Sequence, residues 1–383
     1  GAWLQGLLEI GIDKVSALVE AALTAANVNS AMHSLVIDGI FTGCSEVNIR
    51  FVQELCARMK MPFYATPEQF AVSMNKKRFK EQCRKCGISV AEEYLAQNKE
   101  DLDKIREYPV IIKPTDGYAS RGISICNDVE ELREAFDHAL QYSKTGEVVV
   151  EKYIQGYDDI CMYYTIQDGN VTLSAMTDRD VNTQQEGKAP QPNALLFPSR
   201  HLDSYMKNLH ENVKEFARSL QMQNGTMFIQ AFVKGDEFIV FEMGYRLCGA
   251  NEYVIVSKEN EINTLDMYIQ MALTGKFQGW DNTKYDNPYF KNKYCILIPL
   301  LKSGKIASCS CLDTIREMPE VIHVVQFYQD GEVVPEETMG SLVQSLARIY
   351  VYAENTEKLK QAIHKVQACL HVEDTDGNAV TGI

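Results

Sequence analysis

Tyr108-Pro109-Val110-Ile111-Ile112-Lys113-Pro114-Thr115-Asp116-Gly117-Tyr118-Ala119-Ser120-Arg121-Gly122-Ile123-Ser124-Ile125-Cys126 is the stretch on which the reading of this chain turns. The β-branched run before Lys113 predicts a strand, and Ile123–Cys126 predicts a second, so the polar segment between them closes a hairpin. Gly117 and Gly122 let a backbone bend close to a phosphate and aim N–H groups at it. Ser120 adds a hydroxyl donor and Lys113 a cation for the same oxygens. No GxxxxGK[ST] occurs, so this is not the strand-loop-helix phosphate loop. Two readings stand at this point: a phosphate cradle, or a plain hairpin with two turn glycines.

Upstream, a helix is predicted from about Lys76 to Cys86, stopped by Gly87. The first 34 residues read as helix-rich. Leu35–Phe41 predicts a short buried strand, and 46–60 an amphipathic helix through Val47, Phe51, Leu55 and Met59. Met61–Tyr64 starts another strand or a turn, which makes residues 1–74 a small α/β unit. Downstream, Asn127 or Asp128 caps a helix with Leu132, Phe136 and Leu140 on one stripe. Val148–Ile154 and Ile160–Gln167 predict strands, the latter turning at Asp168-Gly169-Asn170. A long helix covers 204–220, and strands at Met227–Val233 and Phe238–Met243 flank Gly235-Asp236. Residues 280–293 read as a linker or surface loop. Strands at 295–301, 306–312, 321–328 and 346–353, then a helix through Leu359, Ile363, Val366 and Leu370, predict a mostly antiparallel module.

Three further groups carry candidate chemistry. Glu151-Lys152-Tyr153-Ile154 is an extended segment that can present backbone groups to a base edge, with Asp158 placed to bind sugar hydroxyls. The alternative is a strand with an exposed Glu-Lys pair. Gln230 and Glu242 fall on neighbouring strands, where two oxygen ligands suit Mg²⁺. Arg246, four residues on, suits charge on a transferring phosphoryl or acyl phosphate. The alternative is an ordinary polar hairpin. Arg179 and Lys188 lie in a polar segment and are candidates for a substrate contact, against a solvated loop.

Charge and composition set outer limits. The chain has 383 residues, a formal net charge of −14 and 45% hydrophobic residues, so two or three packed domains are expected. The acidic balance argues against nucleic acid or an anionic membrane as partner. No apolar run approaches the roughly 20 residues that cross a bilayer, and no signal peptide is evident, so a cytoplasmic protein is expected. The 11 cysteines are scattered and odd in number, which fits reduced thiols. Cys83 and Cys86 form one CxxC, but they share a helical face with Phe79 and have no second pair, so a core role is expected.

Taken in order, these groups resemble the ATP-grasp superfamily. Asn75-Lys76 followed by Gly87-Ile88 resembles its DK…GI opening. Tyr108–Gly122 looks like its second lysine and phosphate-covering loop, and Val148–Asp158 like its adenine hinge and ribose acid. Phe228–Arg246 resembles its metal-binding hairpin, usually ending E-x-N-x-R. The resemblance covers about 75–275. Residues 35–74 look like the end of the small domain preceding the grasp in the biotin carboxylase, carbamoyl-phosphate synthetase and L-amino-acid ligase branches. The region from 295, with Met318-Pro319-Glu320-Val321, resembles the C-terminal module of the L-amino-acid ligase and biotin carboxylase branches.

The resemblance implies an α/β and α+β ATP-grasp fold, with a pre-ATP-grasp α/β domain at 1–74, the grasp at 75–277 and a β-rich lid module at 278–383. It implies ATP and Mg²⁺ as cofactors. Lys76, Lys113, Ser120 and Gly122 would meet phosphates, Glu151, Lys152, Tyr153 and Ile154 the adenine, and Asp158 the ribose. Gln230 and Glu242 would hold the metal. Arg246 and Lys113 would be the catalytic pair in forming an acyl phosphate, which an amine or ammonia then displaces. The implied partners are small-molecule carboxylates and amines, with no nucleic acid and no membrane, and a homodimer as one assembly open to the chain. Departures are Asn75 for the usual aspartate, Gly244 for a metal-binding asparagine, Gln230 for the commoner acid, and no opening strand and glycine turn in the first 34 residues. Two alternatives remain: a bicarbonate-phosphorylating subunit like carbamoyl-phosphate synthetase, or a non-catalytic ATP-binding regulatory module.

Overall fold

In the computed structural model, which describes residues 38–116, 122–182, 190–277, 280–375, 377–379 and 381–382, the stretch around Lys113 is a hairpin. It belongs to a four-stranded sheet of Glu93–Tyr94 (β1), Val110–Pro114 (β2), Ser124–Cys126 (β3) and Val148–Lys152 (β4), in the order β1-β4-β2-β3. Val110 opposes Cys126 on one side of β2, and Lys113 opposes Val149 on the other. The helix Val129–Gln141 covers this sheet. Asp128 caps it by accepting a hydrogen bond from the Glu131 N–H. Its Leu132, Ala135, Phe136 and Ala139 pack on Val110, Ile112, Val148 and Val150, and Leu140 is half-buried. Burying Leu132 or Phe136 is worth about 1.5–3 kcal/mol each.

The second sheet has eight antiparallel strands. One part of it is made of Asp158–Gln167 (β5), Asn170–Asn182 (β6), Gln191–Phe197 (β7), Gly225–Lys234 (β8) and, at the edge, Glu237–Gly244 (β9). Asp168 and Gly169 both have positive φ and form the two-residue turn joining β5 to β6. Side chains alternate along β5. Ile160, Met162, Tyr164 and Ile166 face a core with Phe79, Cys83, Tyr205, Val213 and Phe216. Cys161 and Tyr163 face the other way, against Phe228, Ile255, Val256, Tyr294 and Tyr350.

Strands of the C-terminal third extend this same sheet. They are Lys293–Leu297 (β10), Val321–Gln326 (β13) and Ala347–Ala353 (β15), while Leu300–Leu301 (β11), Gly304–Lys305 (β12) and Val333–Val334 (β14) lie outside it, β12 pairing with β14 in a small sheet of their own. The order β13-β15-β10-β7-β6-β5-β8-β9 runs without a break, with Tyr294 of β10 opposite Phe197 of β7. Strands from both sides of the boundary expected near residue 277 thus share one sheet. No helix among the described residues is long and apolar enough to cross a membrane.

Several expectations are corrected. Asp38–Phe41 forms no strand, and Leu35–Ile37, like the helix-rich start, lies outside the described residues. The helix Glu46–Met59 buries Ile49, Val52, Leu55 and Cys56, while Phe51 is 44% exposed, because the buried stripe is turned by one position. Met61–Tyr64 is not a strand; Tyr64 instead donates to the Tyr245 carbonyl at 2.9 Å. A helix Pro67–Met74 follows, opened by a Thr66/Gln69 capping box. The 204–220 helix is two helices, Leu202–Asn208 and His210–Ser219, and the break at Leu209 buries both Leu209 and His210. Residues 306–312 form no strand; Cys311–Arg316 is a helix. The 280–293 segment, expected as a linker or surface loop, is largely exposed, carries one short helix, Asn282–Tyr285, and is tied to the sheet by two polar side chains. Asn282 is 1% exposed and donates to the Thr165 and Asn170 carbonyls, while Asp286 accepts from Thr172 and Ser174. Its polar residues satisfy the backbone and side chains at the β5–β6 end.

Candidate active site

Lys113, the last residue but one of β2, holds its ammonium 3.0 Å from Glu151 Oε2 on β4. Ile111 and Glu151 are cross-strand partners, so Lys113 and Glu151 lie diagonally on one face. Lys80, from the helix Lys76–Lys85, reaches the other carboxylate oxygen at 2.7 Å, and Glu93 lies 3.4 Å from the same ammonium. Lys80 is 0% and Glu151 1% exposed. Burial alone would push the Glu151 carboxyl up, but the Lys113 and Lys80 charges outweigh it and hold it below the usual range. The Glu151 side chain is thus a buried counter-ion. Lys152 is exposed and pairs with Glu107 at 3.2 Å. β4 ends there, so Tyr153 and Ile154 follow as irregular backbone, with the Tyr153 N–H donating to the Pro109 carbonyl.

The base of the glycine loop is anchored from two sides. The Lys76 N–H donates to the Thr115 carbonyl at 3.0 Å, and Asp116 accepts from Ser143 Oγ and the Lys144 N–H. Asn75 caps the Lys76 helix, its side chain accepting from the Arg78 N–H at 3.1 Å. Asparagine caps as well as aspartate does, which accounts for the first departure. Gly122 has φ +71° and closes the loop with no room for a Cβ beside Pro114 and Tyr142. Gly117 and Ser120 lie outside the described residues.

The hairpin β8/β9 brings its two oxygen donors together. Gln230 and Glu242 are directly opposed, so both side chains leave the same face. Lys113 Nζ stands 6.0 Å from the ring centre of Phe241, the neighbour of Glu242, and Phe241 stacks on Phe232. The second lysine therefore reaches the hairpin from the other sheet. Ser89 and Val240 tie the two parts by a backbone hydrogen bond of 2.9 Å.

Arg179 belongs to this cluster. Its Nη1 lies 2.8 and 2.9 Å from the two Asp159 oxygens and 3.3 Å from Gln230 Oε1. Burial pushes Asp159 up to about 6, and Glu242 adds to the rise while Arg179 opposes it. Asp158, expected at a ribose, is turned to the opposite face of β5. There it pairs with Arg200 at 2.7 Å and His201 at 2.9 Å. Its neighbour Asp159, which sequence reasoning passed over, occupies the face with Gln230 and Glu242. Lys188 lies outside the described residues.

Beyond the hairpin, the Arg246 guanidinium lies 5.0 Å over the Phe228 ring and donates to the Leu247 carbonyl. Next to it lies buried Glu252, whose carboxyl burial pushes up to about 8 against the charges of Arg246 and Arg348. Cys44 joins this group, its thiol donating to the Cys248 carbonyl at 3.2 Å and to Asn251 at 3.3 Å. Burial pushes that thiol up to about 11, which keeps it protonated. Sequence reasoning also missed Lys80, Glu252 and Arg348.

The donor set suits Mg²⁺ held with a nucleotide. Among the described residues, no group of three or more His, Cys, Asp or Glu side chains forms a metal cage. Glu242 is exposed, and Gln230 Oε1 keeps one lone pair beyond its bond to Arg179. One or two protein oxygens, completed by phosphates and water, is the usual Mg²⁺ arrangement. The Cys83/Cys86 pair is core-facing, with Cys83 fully buried and both thiols free.

The family model for the carbamoyl-phosphate synthase L chain, ATP binding domain, matches residues 75–277, more than half of the chain. The chain belongs to this ATP-grasp family. Among this family's members, the carbamoyl phosphate synthase large chain of Agathobacter rectalis is 26% identical over 189 residues, covering 48% of this chain and 17% of that one. The chain thus spans under a fifth of that relative's length. Of the solved structures, the L-amino acid ligase from Bacillus licheniformis superposes with a TM-score of 0.71 at 19% identity, over 88% of this chain and 81% of that one. The biotin carboxylase domain dimer of Hydrogenobacter thermophilus 2-oxoglutarate carboxylase, solved with MgADP, ADP and bicarbonate, gives 0.70 at 15% identity over 97% and 80%. These two likenesses speak for the fold.

Proposed function

We propose that this ATP-grasp chain is a cytoplasmic ligase that phosphorylates a small-molecule carboxylate and passes the acyl phosphate to an amine or ammonia. The observation that carries the reading is the approach of Lys113 Nζ to the Phe241–Glu242 end of the β8/β9 hairpin, with Arg246 four residues beyond. That approach supports reading Lys113 as a phosphate cation beside the two oxygen donors Gln230 and Glu242 of the same hairpin.

In this reading Lys113 and Lys76 neutralise the phosphates under the loop closed by Gly122. The backbone from Glu151 through Lys152, Tyr153 and Ile154 borders the adenine. Gln230 and Glu242 hold Mg²⁺, which supplies charge neutralisation to the phosphates. Arg246 orients the carboxylate and holds the acyl phosphate until the amine arrives. Such chemistry needs positioning and charge more than covalent help from the protein. The eleven free cysteines suit a reducing compartment. Small molecules are the partners, and a homodimer is the assembly to test first.

Phosphate release from ATP, measured across a panel of amino acids, other carboxylates and bicarbonate with amines or ammonia, tests this. Release that depends on one carboxylate and one amine together is the expected result. Release with bicarbonate alone would favour the carbamoyl-phosphate-synthase-like reading, which the family match supports. ATP binding with no release in any mixture would leave a regulatory module.

A further inference from the structure

We infer that Phe228 and Gly244 work as one unit, in which the ring fills the space of a side chain at 244 and aims Arg246. The roles of Arg246 and Glu242 in this inference rest on the ligase reading above. Phe228 and Gly244 are cross-strand partners on β8 and β9. A Cβ built on Gly244 falls 2.3 Å from Cε1 and 2.4 Å from Cζ of the Phe228 ring, well inside contact distance. Gly244 is not among the glycines with positive φ, so space and not backbone conformation demands glycine here. The ring cannot swing aside freely, because it is buried among Cys161, Tyr163 and Ala175.

The same ring carries the Arg246 guanidinium at 5.0 Å, within reach of a cation–π contact. Gly244 lies two residues after Glu242 and so on the same face of β9. A side chain there would point beside Glu242 and could add an oxygen to the metal set. In this chain an aromatic platform for the arginine takes that place, and the oxygens from the hairpin are those of Gln230 and Glu242. Phe228 is therefore a positioning residue for Arg246.

A thermal-unfolding cycle without nucleotide tests the coupling and does not depend on the ligase reading. Gly244→Ala is expected to lower Tm in the parent and to have little further effect in a Phe228→Ala background. An equal loss in both backgrounds overturns the coupling. Phe228→Leu keeps apolar volume but removes the π face; a drop in kcat of about tenfold with KM for ATP nearly unchanged is expected. Unchanged kcat overturns the positioning role. The double variant Phe228→Ala/Gly244→Asn makes room for an amide oxygen, and Mn²⁺ titration by electron paramagnetic resonance should then show about tenfold tighter binding. No gain in Mn²⁺ affinity overturns the metal-set part. If the parent shows no ATP-dependent turnover at all, the ligase reading fails while the thermal cycle still decides whether ring and glycine are coupled.

Discussion

Lys113 and Glu151 form a buried ion pair at 3.0 Å that has a third arm, because Lys80 holds the other oxygen of the same carboxylate at 2.7 Å. The carboxylate fixes where the Lys113 ammonium stands, and Lys80 adds a second positive charge to the same carboxylate.

Removing Lys80 leaves Glu151 paired with Lys113 alone and its second oxygen buried without a donor. Lys80→Met is expected to destabilise the protein by about 1–3 kcal/mol in denaturant unfolding, the cost of a buried polar group left without its partner. A change near zero would mean that the triple is hydrated or dispensable.

The Glu151 carboxyl sits below its usual range in the folded protein. Its contribution to stability is therefore present above the unfolded value of about 4.5 and lost as pH falls through the lower folded value. Glu151→Gln should remove that acid-limb dependence. An unchanged pH profile below 4.5 would contradict the assignment.

Glu252 has the opposite sign. Its folded carboxyl titrates near 8 against a usual 4.5, so between those values unfolding releases a proton and stability declines as pH rises. Glu252→Gln is expected to raise Tm more at alkaline pH than at mildly acidic pH. An equal shift at both would show that Glu252 is not held neutral by burial.

Arg246→Ala is expected to cut kcat by about 100-fold or more while ATP binding by calorimetry stays within about threefold, because in the proposed function the guanidinium acts on the acyl phosphate and not on the nucleotide. A matching loss of ATP affinity would move Arg246 to the nucleotide side of the cleft.

Local pattern made much of the frame legible. The run Val110–Lys113 and its partner Ser124–Cys126 read directly as a hairpin, and Gln230 and Glu242 read as neighbours because one short turn sets their register. The capping box of Thr66 and Gln69 with Pro67 also stood in the sequence, although its short helix carries too little apolar pattern to attract notice. The partner choices were not legible. Lys80 is one of several lysines on a basic helix, and only the fold sets it beside Glu151. Asp158 and Asp159 are adjacent acids, and which of them shares a face with Gln230 depends on where β5 begins its alternation. Arg348 reads as an outward residue of β15, yet the sheet running on from β7 through β10 places its strand over Glu252.

Hydroxylamine trapping measures the central claim most directly. The full chain would be incubated with ATP, Mg²⁺, hydroxylamine and each carboxylate of a broad panel, with Lys113→Ala alongside. The account predicts an ATP-dependent hydroxamate from at least one carboxylate, lost in the Lys113→Ala protein. ATP consumption with no hydroxamate from any carboxylate, or an unimpaired Lys113→Ala protein, would contradict it.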